Sequence, residues 1–295
     1  EVPPLYVVDC GGHEQMKQDP PQLTVVTVVR NDPKALRLTL ASLREQDLHD
    51  VEHLIVDGAS TDDTGQVAVG AAADYGARMI SEPDQGVYDA MNKGISLAHG
   101  SHIQFLNAGD TYTSSDELAW ALAQLRTGTA WLRTRVRFVD EDRNPTRPLA
   151  AAAVAFTDFA WGRQPVFHQG AFMAQRLLSD LGGFDTDLTI AADFDLSLRA
   201  LAAGVTPQVS HRVTVDVDAA GLSTEEWRKS LWEMHRSRTS DPINLPRGRS
   251  WSATAGKTLE TGARRGIRKT ADAVLGRERV SRWRSKGDGG SGDRE

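Results

Sequence analysis

The segment LTVVTVV, residues 23–29, decides how this chain folds. It is rich in β-branched residues and almost continuously apolar, which is typical of a strand covered on both faces in a parallel sheet. Pro33 suits the first position of the next helix. An apolar stripe then follows at helical spacing in Leu36, Leu40 and Leu43. The sequence therefore predicts a central strand that leads directly into a helix.

The same alternation of strand and helix continues along the chain. We predict further strands at 51–57, 78–81 and 102–107, with helices that begin near Ser60 and Val87. This spacing implies right-handed βαβ crossovers, and hence an α/β fold with an open, mostly parallel sheet and helices on both faces. Such sheets bind ligands outside the carboxyl ends of their strands.

Beyond residue 110 the pattern is less regular. We predict a helix near 115–126, a strand at 131–140, a strand or helix start at 170–185 and a helix at 191–204. The last of these contains two aspartates in its first turn. The second half of the chain therefore carries both secondary structure and candidate chemistry.

Three regions follow from this organisation. Residues 1–21 contain four prolines and two glycines without periodicity, so we expect an irregular leader. Residues 22–222 hold the pattern of one α/β domain. Residues 223–295 are rich in Ser, Thr, Arg and Lys and end in KGDGGSGDRE, which predicts a basic, partly helical extension with a disordered end.

Charge is strongly segregated within the net value of −6. Residues 245–295 hold 13 Lys/Arg against 6 Asp/Glu, which leaves 21 against 34 elsewhere. An acidic body argues against nucleic-acid binding, because phosphate binding needs clustered Lys/Arg. In the basic tail, Ile267, Ala271 and Val274 form an apolar stripe. This predicts either a helix on an anionic membrane surface or a solvated, partly disordered end.

Cysteine content and hydropathy bear on the compartment. Cys10 is the only cysteine, so no internal disulfide forms and a reducing compartment is expected. No run approaches the ~18 to 20 apolar residues of a membrane helix. The expected location is the cytoplasm, at the inner face of the cell membrane if the tail binds lipid. Because the chain begins with Glu1, a removed targeting segment is left open.

Five motifs occur in a fixed order along residues 23–222. They are VDGASTDDT (56–64), EPDQGVYDAMNKG (82–94), FLNAGD (105–110), HQGAFM (168–173) and GGFDTDLTIAADFDLSLRA (182–200). Together they resemble glycosyltransferase family 2, and the DQGVYDAMNKG form is similar to bacterial enzymes of cell-envelope polysaccharide or glycolipid synthesis. The resemblance implies the GT-A fold, the Rossmann-like fold of nucleotide-diphospho-sugar transferases. It also implies a nucleotide-diphosphate sugar donor, Mg²⁺ or Mn²⁺ as cofactor, and inversion at the anomeric carbon.

Asp110 is the predicted metal ligand. It follows a buried strand, beside Asn107, and a hard cation takes one or two carboxylates together with phosphate oxygens. The alternative is that Asp110 caps the turn that follows it. The family motif often has two acidic residues, whereas Ala108 and Gly109 precede a single aspartate here.

Polar residues at the strand ends and in the family-like motifs are the predicted donor contacts. The acceptor-only carboxylate of Asp57 suits a hydrogen of a pyrimidine or ribose, although it could instead cap the helix near Ser60. Asp89 and Lys93 could instead form an i, i+4 ion pair on a solvated helix face. The full set of predicted nucleotide-sugar contacts is Asn31, Asp57, Asp84, Gly86, Asn92, Lys93, Asn107 and His168.

An acceptor hydroxyl attacks poorly while protonated, so the second half must supply a base. Asp193 and Asp195 would lie about 200° apart on a helix and cannot both face one pocket. Asp193 matches the catalytic aspartate of the resembled family, and Asp195 is then expected to pair with Arg199. The alternative for Asp193 is helix capping.

Two histidines complete the predicted site, although a single histidine is more often structural. His168 is expected to orient the donor phosphates or the acceptor. His211 is expected to reach the metal, as a late histidine does in some GT-A enzymes.

The expected function is inverting transfer of a sugar from a nucleotide-diphosphate donor to a saccharide, lipid-linked or small-molecule hydroxyl acceptor. Two other classes remain as alternatives. A nucleotidyltransferase usually carries a Gly-rich phosphate loop after its first strand, and VVRNDPKA (28–35) lacks one. A non-catalytic nucleotide-sugar-binding protein would not need both Asp110 and Asp193.

Overall fold

A computed structural model describes residues 20–140, 142–148, 156–157, 167–218, 226–241, 243 and 250. Its strands are β1 Leu23–Val29, β2 Val51–Asp57, β3 Arg78–Ser81, β4 His102–Phe105, β5 Thr111–Tyr112, β6 Trp131–Val139, β7 Pro145–Pro148, β8 Ala171–Ala174 and β9 Gln208–Asp218. Its helices are α1 Pro33–Arg44, α2 Thr64–Tyr75, α3 Val87–Leu97, α4 Glu117–Leu125, α5 Gln175–Asp180, α6 Ala192–Ala202 and α7 Trp227–Thr239, with a 3₁₀ turn at His168–Gly170.

The described strands form one sheet in the order β3-β2-β1-β4-β8-β6-β9-β5, with β7 paired to β6. The first four strands of this order are mutually parallel, as predicted. Every residue of β1 is buried, which confirms it as the central strand. Val29 pairs with Asp57, so the carboxyl ends of β1 and β2 meet at one edge of the sheet.

The other half of the sheet is mixed. Strand β8 runs antiparallel to β4 and β6, whereas β9 runs parallel to β6 and antiparallel to β5. The predicted parallel character therefore holds only for the first half. The sequence prediction also missed β5, β7 and β9.

The hydrophobic core lies on both faces of the sheet. Val26 and Val28 pack with α3, α6 and α7 on one face, whereas Val25 and Val29 pack on the opposite face. This alternation follows from the two-residue period of a strand. It confirms the predicted α/β fold with helices on both faces.

Helix α7 lies beyond residue 222, the predicted end of the domain, in the segment predicted to be partly helical. Its Leu231 and Met234 are buried in the same core as α6. Ser250 is also buried, and its hydroxyl oxygen lies 2.7 Å from His235 Nδ1. A mostly polar helix with few apolar residues resembles an exposed tail in sequence, which is why the pattern of the sequence did not indicate this packing.

Other predictions about the ends fall outside the described residues, namely most of the leader with Cys10 and the apolar stripe near 267–274. Within the described part of the chain, no helix combines the length and hydropathy needed to cross a membrane.

Candidate active site

Three segments bring their polar side chains together beyond the carboxyl end of β4. Asn107 follows that strand, His168 precedes β8, and Asp193 lies at the start of α6. Asn107 Nδ2 donates to His168 Nε2 at 3.1 Å, which leaves the proton of a neutral ring on Nδ1. His168 Nδ1 lies 3.7 Å from Asp193 Oδ2. His168 therefore links the two halves of the site.

Asp110 is 4% exposed, and burial raises the pKa of its carboxyl group to about 6. His168, the Gln169 amide and the Asp218 backbone oppose this rise, as does the charge of Arg143. Burial dominates because an ionised carboxylate loses its hydration. These partners lie outside the turn that follows Asp110, so the structure does not favour the turn-capping alternative.

The loop that carries Asp110 is held from two sides. The Thr39 hydroxyl donates to the Asp110 carbonyl at 2.8 Å and accepts from the Gly109 N–H at 3.0 Å. Arg143 donates to the Gly109 carbonyl at 3.0 Å and to the Thr111 hydroxyl. Gly109 has φ +96°, a conformation that suits glycine.

Four buried side-chain atoms at this place make no hydrogen bond within the described residues. They are Asn107 Oδ1, Asp110 Oδ2, His168 Nδ1 and Gln169 Oε1. Buried polar groups are almost always paired, so a cluster of such atoms indicates a place where water, an ion or another ligand supplies the partners. The described part of the chain contains no group of three His, Cys, Asp or Glu side chains able to hold a metal.

Asp193 lies one residue inside helix α6, where the N-cap position is Ala191. Its Oδ1 accepts the Phe194 N–H at 2.7 Å, and its Oδ2 faces His168. Asp195 pairs with Arg199 at 2.7 Å, as predicted. Asp193 therefore does not hold the N-cap position that the alternative required.

A cavity of about 20 Å³ is bordered by His168 and Asp193. A water molecule needs roughly this much room. The rest of the lining is apolar except for Ser197, and consists of Ile103, Phe105, Ala171, Met173, Phe184 and Leu196. An apolar wall beside the carboxylate strengthens its electrostatic interactions.

Asn31 and Asp57 brace the turn after β2. The buried Asp57 carboxylate accepts from the Ser81 hydroxyl at 2.5 Å, from the Ser60 N–H at 3.2 Å and from the Ser60 hydroxyl. Asn31 Oδ1 accepts the Thr61 N–H at 2.8 Å. Helix α2 begins later, so Asp57 shapes the turn rather than capping the helix.

Gly58 leaves room for the Asp84 side chain beside the turn after β2. A Cβ built on Gly58 would overlap Asp84 Oδ2, so a larger residue there would displace the carboxylate. Asp84 Oδ1 accepts the N–H of Gly86. Gly86 has a φ of +135° and occupies the N-cap position of α3. The family motif often has a second acidic residue after the one at Asp57. Here Gly58 occupies that position, and the carboxylate of Asp84 lies against it.

Asn92 and Lys93 hold loops that surround the site. Asn92 Nδ2 donates to the Phe184 carbonyl at 2.9 Å, and its Oδ1 accepts the Phe184 N–H at 2.8 Å. Lys93 Nζ lies 2.6 Å from the Pro83 carbonyl oxygen, 3.0 Å from Glu82 and 3.7 Å from Asp89. The alternative interpretation, an i, i+4 ion pair between Asp89 and Lys93, is therefore present in the structure.

His211 is the second predicted metal ligand, after Asp110. It is exposed in an irregular part of β9, where Arg135 lies 2.8 Å from its Nδ1. The part of β9 that reaches Asp110 is its last residue, Asp218. The role of His211 as a metal ligand therefore stays a prediction, and the structure places this residue several positions before the end of β9.

Sequence reasoning also missed residues that act on Asp110, namely Gln169, Arg143 and Asp218. Gln169 lies inside the HQGAFM motif, which was available as a signal. Val213, Val215 and Val217 alternate with polar residues and could have revealed the strand that delivers Asp218.

An α/β sheet with a buried aspartate after β4 and a second one in the first turn of α6 is the arrangement expected of a nucleotide-sugar transferase. The family model described as "Glycosyl transferase family 2" matches residues 24–180. The chain belongs to glycosyltransferase family 2 and is a glycosyltransferase, as its motifs predicted. Asp193 and α7 lie beyond the matched range.

Mycobacterial relatives are also similar. An uncharacterized glycosyltransferase of Mycobacterium tuberculosis is 33% identical over 211 residues, which cover 69% of this chain and 78% of the relative. A PGL/p-HBAD biosynthesis glycosyltransferase of the same species is 29% identical over 194 residues, 62% of this chain and 70% of the relative.

Solved structures share the fold. S. aureus TarS 1–349 in complex with UDP-GlcNAc has a TM-score of 0.61 at 17% identity, over 80% of this chain and 71% of that chain. The Pyrobaculum calidifontis mannosyltransferase PcManGT, in complex with GDP-Man and Mn²⁺, has a TM-score of 0.57 at 20% identity, over 89% and 83%. Both support the GT-A fold.

Proposed function

We propose that this glycosyltransferase moves a sugar from a nucleotide-diphosphate donor to a hydroxyl acceptor with inversion at the anomeric carbon. Asp193 is the base, and Asp110 lies on the side of the leaving diphosphate. The observation that carries the proposal is that two buried carboxylates share one histidine: Asp193 Oδ2 lies 3.7 Å from His168 Nδ1, and the charge of His168 also acts on Asp110. A displacement reaction needs groups that act on opposite sides of the transferred carbon.

The chain's own residues account for the proton. Asp193 Oδ2 accepts the proton of the acceptor hydroxyl as that oxygen bonds to the anomeric carbon, and the bond from this carbon to the diphosphate oxygen breaks. Attack from the face opposite the diphosphate inverts the configuration. His168 Nδ1 faces Asp193 Oδ2 and orients it, while Asn107 fixes the ring of His168.

The residues around Asp110 fit a divalent cation such as Mg²⁺ or Mn²⁺. Asp110 offers a buried carboxylate oxygen without a hydrogen bond, and Asn107 offers a buried amide oxygen in the same condition. Cations of this kind combine one or two protein carboxylates with substrate phosphate oxygens. When bound, such a cation would offset the negative charge that develops on the diphosphate. PcManGT, which shares the fold, was solved with Mn²⁺.

Other parts of the predicted site belong to the donor side of this proposal. Asp57, Asp84, Asn31 and Gly86 line the loops at the ends of β2 and β3, and Lys93 holds the loop after β3. These loops lie at the sheet edge where α/β proteins bind nucleotides. TarS, which shares the fold, was solved with UDP-GlcNAc.

The names of the relatives support an acceptor class. Enzymes named for PGL/p-HBAD biosynthesis are 29% identical to this chain, which supports a role in glycolipid or cell-envelope glycan synthesis. A lipid-linked acceptor would place the reaction at the inner face of the cell membrane.

A donor screen tests the proposal. UDP-, dTDP- and GDP-sugars are assayed for binding and hydrolysis with Mg²⁺, Mn²⁺ or EDTA, and the product anomer is assigned by NMR. We expect one nucleotide class to bind, cation-dependent release of its diphosphate, and an inverted product. A retained configuration, or no turnover of any donor, would contradict the proposal.

A further inference from the structure

The carboxylate of Glu233 lies at the entry to helix α6, although it belongs to α7. It accepts the N–H groups of Thr189, Ile190 and Ala191 at 3.1, 2.8 and 3.0 Å, and the Thr189 hydroxyl at 2.9 Å. Glu233 is only 3% exposed. Asp193 follows this bonded segment by two residues.

Four donors converge on one buried carboxylate, which is unusual for a residue that serves only packing. Hydrogen bonds to an ionised acceptor are shorter and stronger than those between neutral groups. A negative charge is also favourable at the start of a helix, because the helix dipole is positive there. Glu233 therefore fixes both the path of residues 189–191 and the first turn of α6.

A second side chain restrains the same segment from another direction. The Tyr88 hydroxyl donates to the Ile190 carbonyl at 2.8 Å. The backbone of Ile190 is thus held by Glu233 through its N–H and by Tyr88 through its carbonyl. Tyr88 belongs to α3, so the entry to α6 is held between α3 and α7.

We propose that Glu233 is a positioning residue for the transfer reaction, which fixes the start of α6 and thereby sets the place of the Asp193 carboxylate. The inference rests on the proposed role of Asp193 as the base. Asp193 Oδ2 lies 3.7 Å from His168 Nδ1, a distance that a small shift of α6 would change. Misplacement of a reacting group by about 1 Å can lower a rate by as much as 10²-fold.

A matched control separates positioning from simple attachment of α7. The Ser237 hydroxyl, one turn after Glu233, donates to Asp195 Oδ1 at 2.7 Å and is buried. Ser237→Ala therefore removes a buried bond between the same two helices, but leaves residues 189–191 in place. Glu233→Gln preserves shape and removes the charge, and its amide nitrogen cannot accept the N–H groups.

The experiment uses the full chain and measures release of UDP from UDP-GlcNAc, of GDP from GDP-mannose or of dTDP from a dTDP-sugar, whichever donor the screen selects. Assays are run well below the Tm of each variant. We expect Glu233→Gln to lower kcat about tenfold or more with donor Kd within about twofold, and Ser237→Ala to leave both within about twofold. Equal kcat in the two variants, or a collapse of donor Kd in Glu233→Gln, would overturn the proposal.

A second variant decides the matter if Glu233→Gln does not fold. Tyr88→Phe keeps the ring and removes the hydroxyl that bonds the Ile190 carbonyl and meets the backbone of Ala192 and Asp193, so we expect a smaller fall in kcat with unchanged donor Kd. An unchanged kcat in Tyr88→Phe would contradict the positioning role.

Asp193→Asn, assayed alongside, separates the two proposals. Retained turnover in Asp193→Asn refutes the base. Collapsed turnover there with normal kcat in Glu233→Gln refutes only the role of Glu233.

Discussion

The two halves of the sheet use their polar side chains in different ways. In the first half, Asp57 accepts bonds from two serines and Lys93 pairs with the loop after β3. At the boundary with the second half, Asn107, Asp110 and Gln169 keep buried atoms that form no hydrogen bond within the described residues. The first half is internally satisfied, whereas the boundary is not.

The unpaired atoms mark the place where a bound molecule would add the most hydrogen bonds. An unpaired buried polar group costs about 1–3 kcal/mol, so a protein retains such groups where another molecule completes their bonding. Side chains of the first half hold the loops through hydrogen bonds, whereas those at the boundary keep atoms that a bound molecule could pair with. Removing one residue of each kind should therefore have opposite consequences for stability and activity.

Asp110→Ala should have the largest effect on activity. It removes a carboxylate proposed to offset several kcal/mol of charge on the diphosphate, so donor binding and turnover should fall together by about 10²-fold or more. Thermal unfolding should show little loss of Tm, because the variant also removes a desolvated carboxyl group. Asp116→Ala, an exposed aspartate on the following turn, is the control and should match the wild type. Full cation-dependent activity in Asp110→Ala would contradict the comparison.

Met234→Ala should have the largest effect on stability. Met234 is buried in the core shared with α6, and truncation of a buried methionine typically costs about 2–5 kcal/mol. Trp232, on the same helix, is 55% exposed, so Trp232→Ala should change the free energy of unfolding much less. Urea unfolding of both variants measures the difference. Equal small losses would show that α7 is not part of the core.

Acid should lower the free energy of unfolding through the buried His53, which lies in the first half of the sheet. Burial lowers the pKa of His53 to about 3 from its usual 6.5, so the unfolded chain binds the proton more readily between these values. Stability is therefore present above pH 6.5 and lost as pH falls through this window, by up to about 1.4 kcal/mol per pH unit. His53→Gln should show a shallower loss between pH 7 and 4.5 in urea unfolding. His49→Gln, an exposed control, should retain the wild-type slope.

Asp57→Ala should cost stability, in contrast to Asp110→Ala. It leaves the Ser60 and Ser81 donors without their shared acceptor, which typically costs about 1–3 kcal/mol. Differential scanning fluorimetry of both alanine variants compares them directly. If Asp110→Ala lost more stability than Asp57→Ala, the contrast between the two halves would fail.

The sequence predicted the first half of the fold well because its signals are local. Strand β1 and helix α1 each show their own periodicity within a dozen residues. Strand β9 instead pairs with β6, which lies some eighty positions earlier, and its register depends on that partner. The packing of helix α7 was missed because only a few of its residues, such as Leu231 and Met234, meet the core.

The candidate site divides in the same way. Asp110, Asn107, His168 and Asp193 were found from motifs, and the structure brings all four together. Their supports were not found, because contacts such as Glu233 with Ile190 join residues far apart in sequence. The sequence also could not place His211 relative to Asp110, since residue type alone does not determine distance.

The most direct test of the account is Asp193→Asn, measured on one preparation for donor Kd, Tm and transfer rate. Asn keeps the shape but removes the proton acceptor, and general-base catalysis contributes typically ~10² to 10⁴-fold. We therefore predict a fall of about that size in transfer rate, with donor Kd and Tm nearly unchanged. If Asp193 served only to cap the helix, Asn would replace it without loss, because Asn and Asp rank alike in that role. A near-normal transfer rate in Asp193→Asn would contradict the assignment of Asp193 as the base.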